Sequence, residues 1–291
     1  MEVHSIQEYT DIIEKLGKAY TYKLHQNIIL EQEIIPQFIY RGHGNGDKYK
    51  LLPGVFREKR RPNGAITTEY SQLEYNIIGD FISEARRYVP NIHNEDILSW
   101  IEIAQHFGVP TRLLDFTQNP LVALYFACKG LSEHDACVWI INELAYKKVF
   151  WENSEIVLFK NDSEFIVNKI ISDEVVNQRF KPRDESKFFA YPWIYKPNYS
   201  EERMMLQASV FMLWASRRHA FTDFMQPENY MKIDGVIENP EKGILFQIRI
   251  PSTEKKHILT QLELFGVNEK FIYPGLDGVG KYINRKYASE S

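Results

Sequence analysis

HFGVPTRLLDFTQNPLVALYFAC, residues 106–128, sets a histidine, an arginine, an aspartate and two threonines directly ahead of an unbroken apolar run. Asn119-Pro120 has the form of an N-cap followed by proline at the first helical position, so a helix begins there. From Leu121 to Cys128 no polar face remains, which is the pattern of a helix buried on all sides. TRLLDF ahead of it reads as a short strand, and Thr117-Gln118 joins the two. The start of the helix, with its unpaired N–H groups and partial positive charge, then points toward Asp115 and Thr117, an anion or polar-ligand site in outline.

Working outward, a helix over about 95–106 ends at Gly108 and Pro110, and a longer amphipathic one over 67–89 carries Leu73, Ile77, Ile78, Phe81 and Ile82 on one face. Together they predict a helical layer over about 67–107. ACVWIIN (136–142) is a continuous apolar run expected of a buried strand, and PQFIYRG (36–42) a strand that ends at Arg41-Gly42. Residues 1–35 open with a helix started by Ser5 and Glu8 and are expected to form an N-terminal helical brace. The stretch 146–197 reads as short helices and loops. Beyond it, SVFMLW (209–214) and GILFQIRIP (243–251) read as strands, 252–266 as a helix with Ser252 as N-cap, and the end of the chain as a turn and a last helix. No repeat or low-complexity linker interrupts the pattern. The expected fold is therefore α+β, a mixed α/β single domain over 36–291 with a helical layer.

Apolar residues make up 44% of the 291, which excludes a disordered chain, and the net charge of −4 confines any nucleic-acid contact to a local basic patch such as REKRR, 57–61. No apolar stretch is long enough to span a membrane and no leader pattern is present, so a cytoplasmic protein is expected, with Cys128 and Cys137 as reduced core residues. A metal site from His43, His106 and Asp115 lacks any short ligand spacing, and no metal is expected.

Arg41 at a strand end is followed by Gly42, Gly44 and Gly46, which would let backbone amides approach a phosphate or ribose closely, although this spacing lacks the strand–turn–helix context of a dinucleotide fingerprint. Tyr40-Arg41-Gly42, the following HGNGDKYKLLPGVFR, AQHFGVPTRLLDFTQNPLVALYFA (104–127), ERMMLQASVFMLWA (202–215) and FGVNEKFIYPGLDGVGKYI resemble, in order, the segments of the FRG domain family. The resemblance runs from about Phe38 to Ile283, with Ser209 where the family usually has glycine. FRG domains are similar, remotely, to ADP-ribosyltransferases, and that likeness implies a split β-sheet and NAD as substrate, in a bacterial toxin or phage-defence setting.

On that likeness Arg41 takes the place of the strand-end arginine that grips NAD, and Gln207 to Ser209 lie where those enzymes carry a catalytic glutamate. The residues expected to bind a nucleotide are Arg41, Gly42, His106, Arg112 and Thr117; those expected at the anomeric carbon are Asp115 and Gln207, with Glu202 a weaker candidate carboxylate. Whether the protein is an enzyme is left open: the same cleft suits a transferase with a macromolecular acceptor, an NAD-hydrolysing enzyme, or a non-catalytic nucleotide sensor that signals to a protein partner.

Overall fold

The computed structural model describes residues 1–20, 22–24, 32–34, 37–57, 70–89, 92, 96–150, 192–197, 202–214, 221 and 243–287. Its centre is a six-stranded antiparallel sheet in the order β6-β7-β4-β3-β5-β8. The strands are β3 (Phe38–His43), β4 (Leu113–Thr117), β5 (Ala136–Asn142), β6 (Trp193–Tyr195), β7 (Ser209–Leu213) and β8 (Leu245–Ile250). A separate two-stranded ribbon, β1 (Tyr22–Leu24) with β2 (Gln32–Ile34), lies within the stretch expected to be a helical brace. The strand β6 likewise lies where short helices and loops were expected. Strands of three residues offer too few positions for an alternating pattern to register, which is why the sequence hid them.

Alternation along the strands sorts the sheet's two faces. Ile39, Leu114, Phe116, Trp139, Ile141, Ile194, Val210 and Met212 point one way into a continuous apolar core. The other face is divided. Its β3, β5 and β8 half, through Phe38, Tyr40, Val138, Ile140, Phe246 and Ile248, packs under α1 (Ile6–Tyr20), α4 (Pro120–Lys129) and α7 (Lys255–Leu264). Its β4, β6 and β7 half, through Leu113, Trp193, Tyr195, Phe211 and Leu213, packs under α2 (Tyr70–Ala85), α3 (Ile97–His106) and α6 (Glu202–Leu206). Between α4 and β6 the chain also forms α5 (Glu143–Phe150), and it closes with α8 (Glu269–Ile272) and α9 (Leu276–Tyr287).

The division falls between β3 and β4. β3 pairs with β5 along its whole length, Phe38↔Asn142 to His43↔Cys137, but meets β4 at Tyr40↔Thr117. Past that point the strands part, so the sheet is one at the Tyr40 end and split at the Arg41 end.

α4 begins at Pro120 as expected, with Asn119 as N-cap, and buries Val122 to Tyr125, Ala127 and Cys128. It lies close on β3: a Cβ at Gly42 would stand 2.0 Å from the Ala123 carbonyl oxygen and 2.5 Å from the Ala127 nitrogen, so no side chain fits there. Gly44 and Gly46 are packed less tightly, a Cβ there standing 3.1 Å from Gly130 and 3.0 Å from the Cys137 Cβ. Gly42 thus seats α4 on β3 within the β3–β5 ladder and Gly44 meets the end of α4, while the Gly46 N–H donates to the Asp135 carbonyl at 2.8 Å; the expectation that these glycines open backbone amides to a phosphate is corrected on that ground. Buried Lys255 fastens the same corner, its Nζ donating to the carbonyls of Gly44 (2.8 Å), Gly130 (2.7 Å) and Leu131 (2.7 Å). Ser252 is not an N-cap: residues Ser252–Glu254 form a 3₁₀ turn ahead of α7, and the Ser252 N–H donates to Asp135 Oδ1. Cys128 and Cys137 are both buried free thiols, and burial pushes their pKa values up to about 12 and about 11.

Candidate functional site

Where β3 and β4 part, the two helical caps leave a cavity of about 300 Å³. Its polar lining comes from Arg41 on β3, Gln105 and His106 at the end of α3, Asp115 on β4, and Arg203 and Gln207 from α6 and the turn after it. Val122 and Phe126 on α4, with Phe211 on β7, supply an apolar wall.

Asp115 is the exposed residue in the middle of a buried strand, with about half of its side chain open to solvent. Its carboxylate is held in place: Gln105 Nε2 donates to Oδ2 at 2.6 Å, and Thr111 Oγ1 donates to Gln105 Oε1 at 2.7 Å, which fixes the amide's orientation. Arg41 fills the gap where ladder bonds between β3 and β4 would run. Its Nη1 donates to the Asp115 carbonyl oxygen and stands 3.9 Å from Asp115 Oδ2. Arg41 Nε donates to His43 Nε2 at 3.1 Å, and His43 Nδ1 lies 3.2 Å from the Tyr49 carbonyl oxygen. These partners define the His43 tautomer: Nδ1–H donates to Tyr49, and Nε2 is left to accept from Arg41. Burial, and then the Arg41 charge, lower the His43 pKa to about 3, so its ring stays neutral. Burial draws the Arg41 pKa down to about 10, against the upward pull of Asp115, and the guanidinium remains a cation at neutral pH.

The structure brings Arg41, Gly42, His106, Asp115, Thr117 and Gln207 to one cavity and leaves Arg112 out of it. Arg112 is buried and committed to Glu74, with Nε at 3.0 and 2.9 Å from the two carboxylate oxygens and Nη2 at 2.6 Å from Oε2. It ties α2 to β4, and its expected role in nucleotide binding is withdrawn for that reason.

Thr117 and Gln207 reach the wall with their groups engaged. The Thr117 hydroxyl accepts from the Asn119 N–H at 2.9 Å and donates to the Gln207 carbonyl, while Gln207 Nε2 donates to the Ile272 carbonyl at 2.9 Å. They lock the α4 start to the turn after α6; Gln207, expected as a catalytic group, lines the cavity with its amide nitrogen bound to Ile272. The start of α4 is also closed to an anion, because Asn119 Oδ1 accepts from the N–H groups of Leu121 (3.0 Å) and Val122 (3.4 Å). Glu202, the weaker carboxylate candidate, opens α6 as an exposed residue and does not line the cavity.

Gln105, Arg203 and Phe126 were missed from sequence. Gln105 had a discernible signal, a polar residue at a helix end ten positions ahead of Asp115, whereas Arg203 and Phe126 look like an ordinary helical charge and an ordinary core aromatic. Among the described residues no group of three or more His, Cys, Asp and Glu side chains could hold a metal ion.

The cavity's main polar groups lie on one continuous segment, and that segment is what comparison with known proteins finds. Residues 36–136 match the FRG domain. The FRG match runs from just before β3 to the start of β5 and takes in Arg41, Gln105, His106, Asp115 and Thr117. Arg203, Gln207 and the C-terminal helices lie beyond it. No curated protein and no solved structure matches the chain.

Proposed function

We propose that the cleft binds a nucleotide and acts on the glycosidic bond of NAD or a related dinucleotide, passing the ADP-ribose group to an acceptor or to water. The observation that carries this reading is the meeting of Asp115, a half-exposed carboxylate oriented by Gln105, with the Arg41 guanidinium in one partly apolar cavity at a split in the sheet. When the bond between ribose C1′ and the nicotinamide nitrogen breaks, its electron pair leaves with nicotinamide and the sugar becomes oxocarbenium-like. A fixed carboxylate opposite C1′ stabilises that charge. The acceptor oxygen then bonds to C1′ and releases its proton to Asp115 or solvent. Arg41 holds a phosphate, His106 at the rim positions the sugar, and Phe126 offers a flat apolar face to a base. The likeness of FRG domains to ADP-ribosyltransferases points the same way, and the proposal extends to a toxin or phage-defence effector acting in the cytoplasm of a bacterium.

A second reading is favoured by one feature: Gln207, where those enzymes carry glutamate, is uncharged and its amide is bound to Ile272. The protein is then a sensor that binds the nucleotide and leaves it intact. Incubation of the full chain with NAD, followed by chromatography for nicotinamide and by calorimetry for binding, separates the two. The enzyme reading expects nicotinamide release that falls by about 100-fold or more in Asp115→Asn while NAD affinity changes only a few-fold. NAD bound and recovered unchanged selects the sensor, and neither binding nor release removes both.

A further inference from the structure

Arg41 and Gln105 have two sides. Beyond them, away from α4, they line a second hollow of about 420 Å³ together with Gly54, Arg57, Pro110 and Leu114. The lining described for this hollow holds two guanidinium groups and no carboxylate. Arg57, the first residue of the basic run noted in the sequence, is held by its Nε at 3.0 Å from the Leu52 carbonyl, which anchors the stem. Among the described residues no carboxylate pairs with its Nη groups. Both cations line this space, and the Arg57 charge helps to lower the Arg41 pKa. An anion bearing two charges would relieve that repulsion, and the planar forks of the two arginines suit phosphate oxygens.

Size adds a separate argument. A cavity of about 300 Å³ stands at the small end of ligand sites and suits a nucleoside, not a dinucleotide. The two hollows adjoin at Arg41 and Gln105, which line both, so a ligand longer than a nucleoside has a second space beside the first. We propose that the second hollow is a phosphate subsite, in which Arg57 and Arg41 take the pyrophosphate of the nucleotide whose nucleoside part lies in the cleft. This rests on the nucleotide reading of the cleft, and it names the part of the ligand that each side of Arg41 recognises.

Calorimetric titration of the full chain with ADP-ribose, adenosine and inorganic pyrophosphate tests it, in the wild type, Arg57→Gln and Arg57→Lys. Arg57 is exposed, so both variants should melt with the wild type. Arg57→Gln is expected to weaken ADP-ribose and pyrophosphate tenfold or more and to leave adenosine unchanged, with Arg57→Lys in between. Equal ADP-ribose affinity in wild type and Arg57→Gln overturns the subsite, and if adenosine and ADP-ribose still bind, the nucleotide reading survives that failure. Pyrophosphate bound by the wild type and lost in Arg57→Gln, with ADP-ribose no tighter than pyrophosphate, supports the subsite and removes the nucleotide reading. No binding of either phosphate compound overturns the subsite outright.

Discussion

His43 holds Arg41 by being neutral. Its Nε2 accepts the Arg41 Nε–H, and a proton there would set two cations face to face within a buried corner that also feels Arg57. An unfolded histidine titrates near pH 6.5, whereas burial and Arg41 lower this one to about 3. Between those values the unfolded chain holds a proton that the folded one does not, so stability is full above about pH 6.5 and falls as the pH drops toward 3. By pH 4.5 the loss from this group is about 3 kcal/mol. Urea denaturation at pH 7 and pH 4.5 should therefore show the wild type losing that much more than His43→Gln, whose amide oxygen can still accept from Arg41. Equal losses would contradict the assignment. The histidine's role was not legible in the sequence, where it entered only as one of three metal-ligand candidates; nothing in the spacing of Arg41 and His43 shows that one side chain folds back on the other. Arg41 and Asp115, by contrast, were legible because a charge at a strand end and a charge ahead of a wholly apolar helix both lack a local partner.

Helices and strands are joined here by buried ion pairs that the sequence does not announce. Arg112 precedes β4 and Glu74 sits on α2, so the pair that anchors the helical layer to the sheet spans 38 residues of sequence. An arginine among candidate ligands was a natural reading of TRLLDF, and it fails because the partner lies on a helix whose registry with β4 is set only by tertiary packing. Removing the carboxylate strands a buried guanidinium, which costs about 3–5 kcal/mol. Glu74→Gln should lower the urea midpoint by an equivalent amount, while Glu74→Leu with Arg112→Met recovers most of it; a loss below about 1 kcal/mol would contradict a buried, uncompensated charge. The elements with long periodic patterns were read from sequence correctly. α4 starts at its Asn-Pro pair, β5 occupies the full ACVWIIN run, and α3 ends at His106. The close seat of α4 on β3 had a faint signal in Gly42 facing Ala123 and Ala127, one helical turn apart, and it was read as ligand chemistry instead.

At the scale of the described residues, the six-stranded sheet has a continuous core on one face and two helical caps on the other, and the cleft is the seam between the caps. That seam follows from topology: β3 belongs to the ladder with β5 and β8, β4 to the ladder with β6 and β7, and the two meet at Tyr40↔Thr117. Both sides of the split are charged, Arg41 on one and Asp115 on the other, so it can take a ligand that is anionic at one end and becomes cationic at its reacting carbon. Among the described residues no helix is long and apolar enough to cross a membrane. The convergence of the early arginine, the aspartate of the central segment and the later α6 turn was expected from sequence, but its cause, a sheet that parts after a single point of contact, could not be read there because strand pairing is non-local. A crystal structure of the full chain with ADP-ribose, which carries no scissile nicotinamide bond, tests the central claim most directly. The account predicts the ligand in the seam, with a ribose against Asp115 and the pyrophosphate on Arg41; ADP-ribose bound on another surface, with Arg41 still donating to the Asp115 carbonyl and the seam empty of ligand, would contradict it.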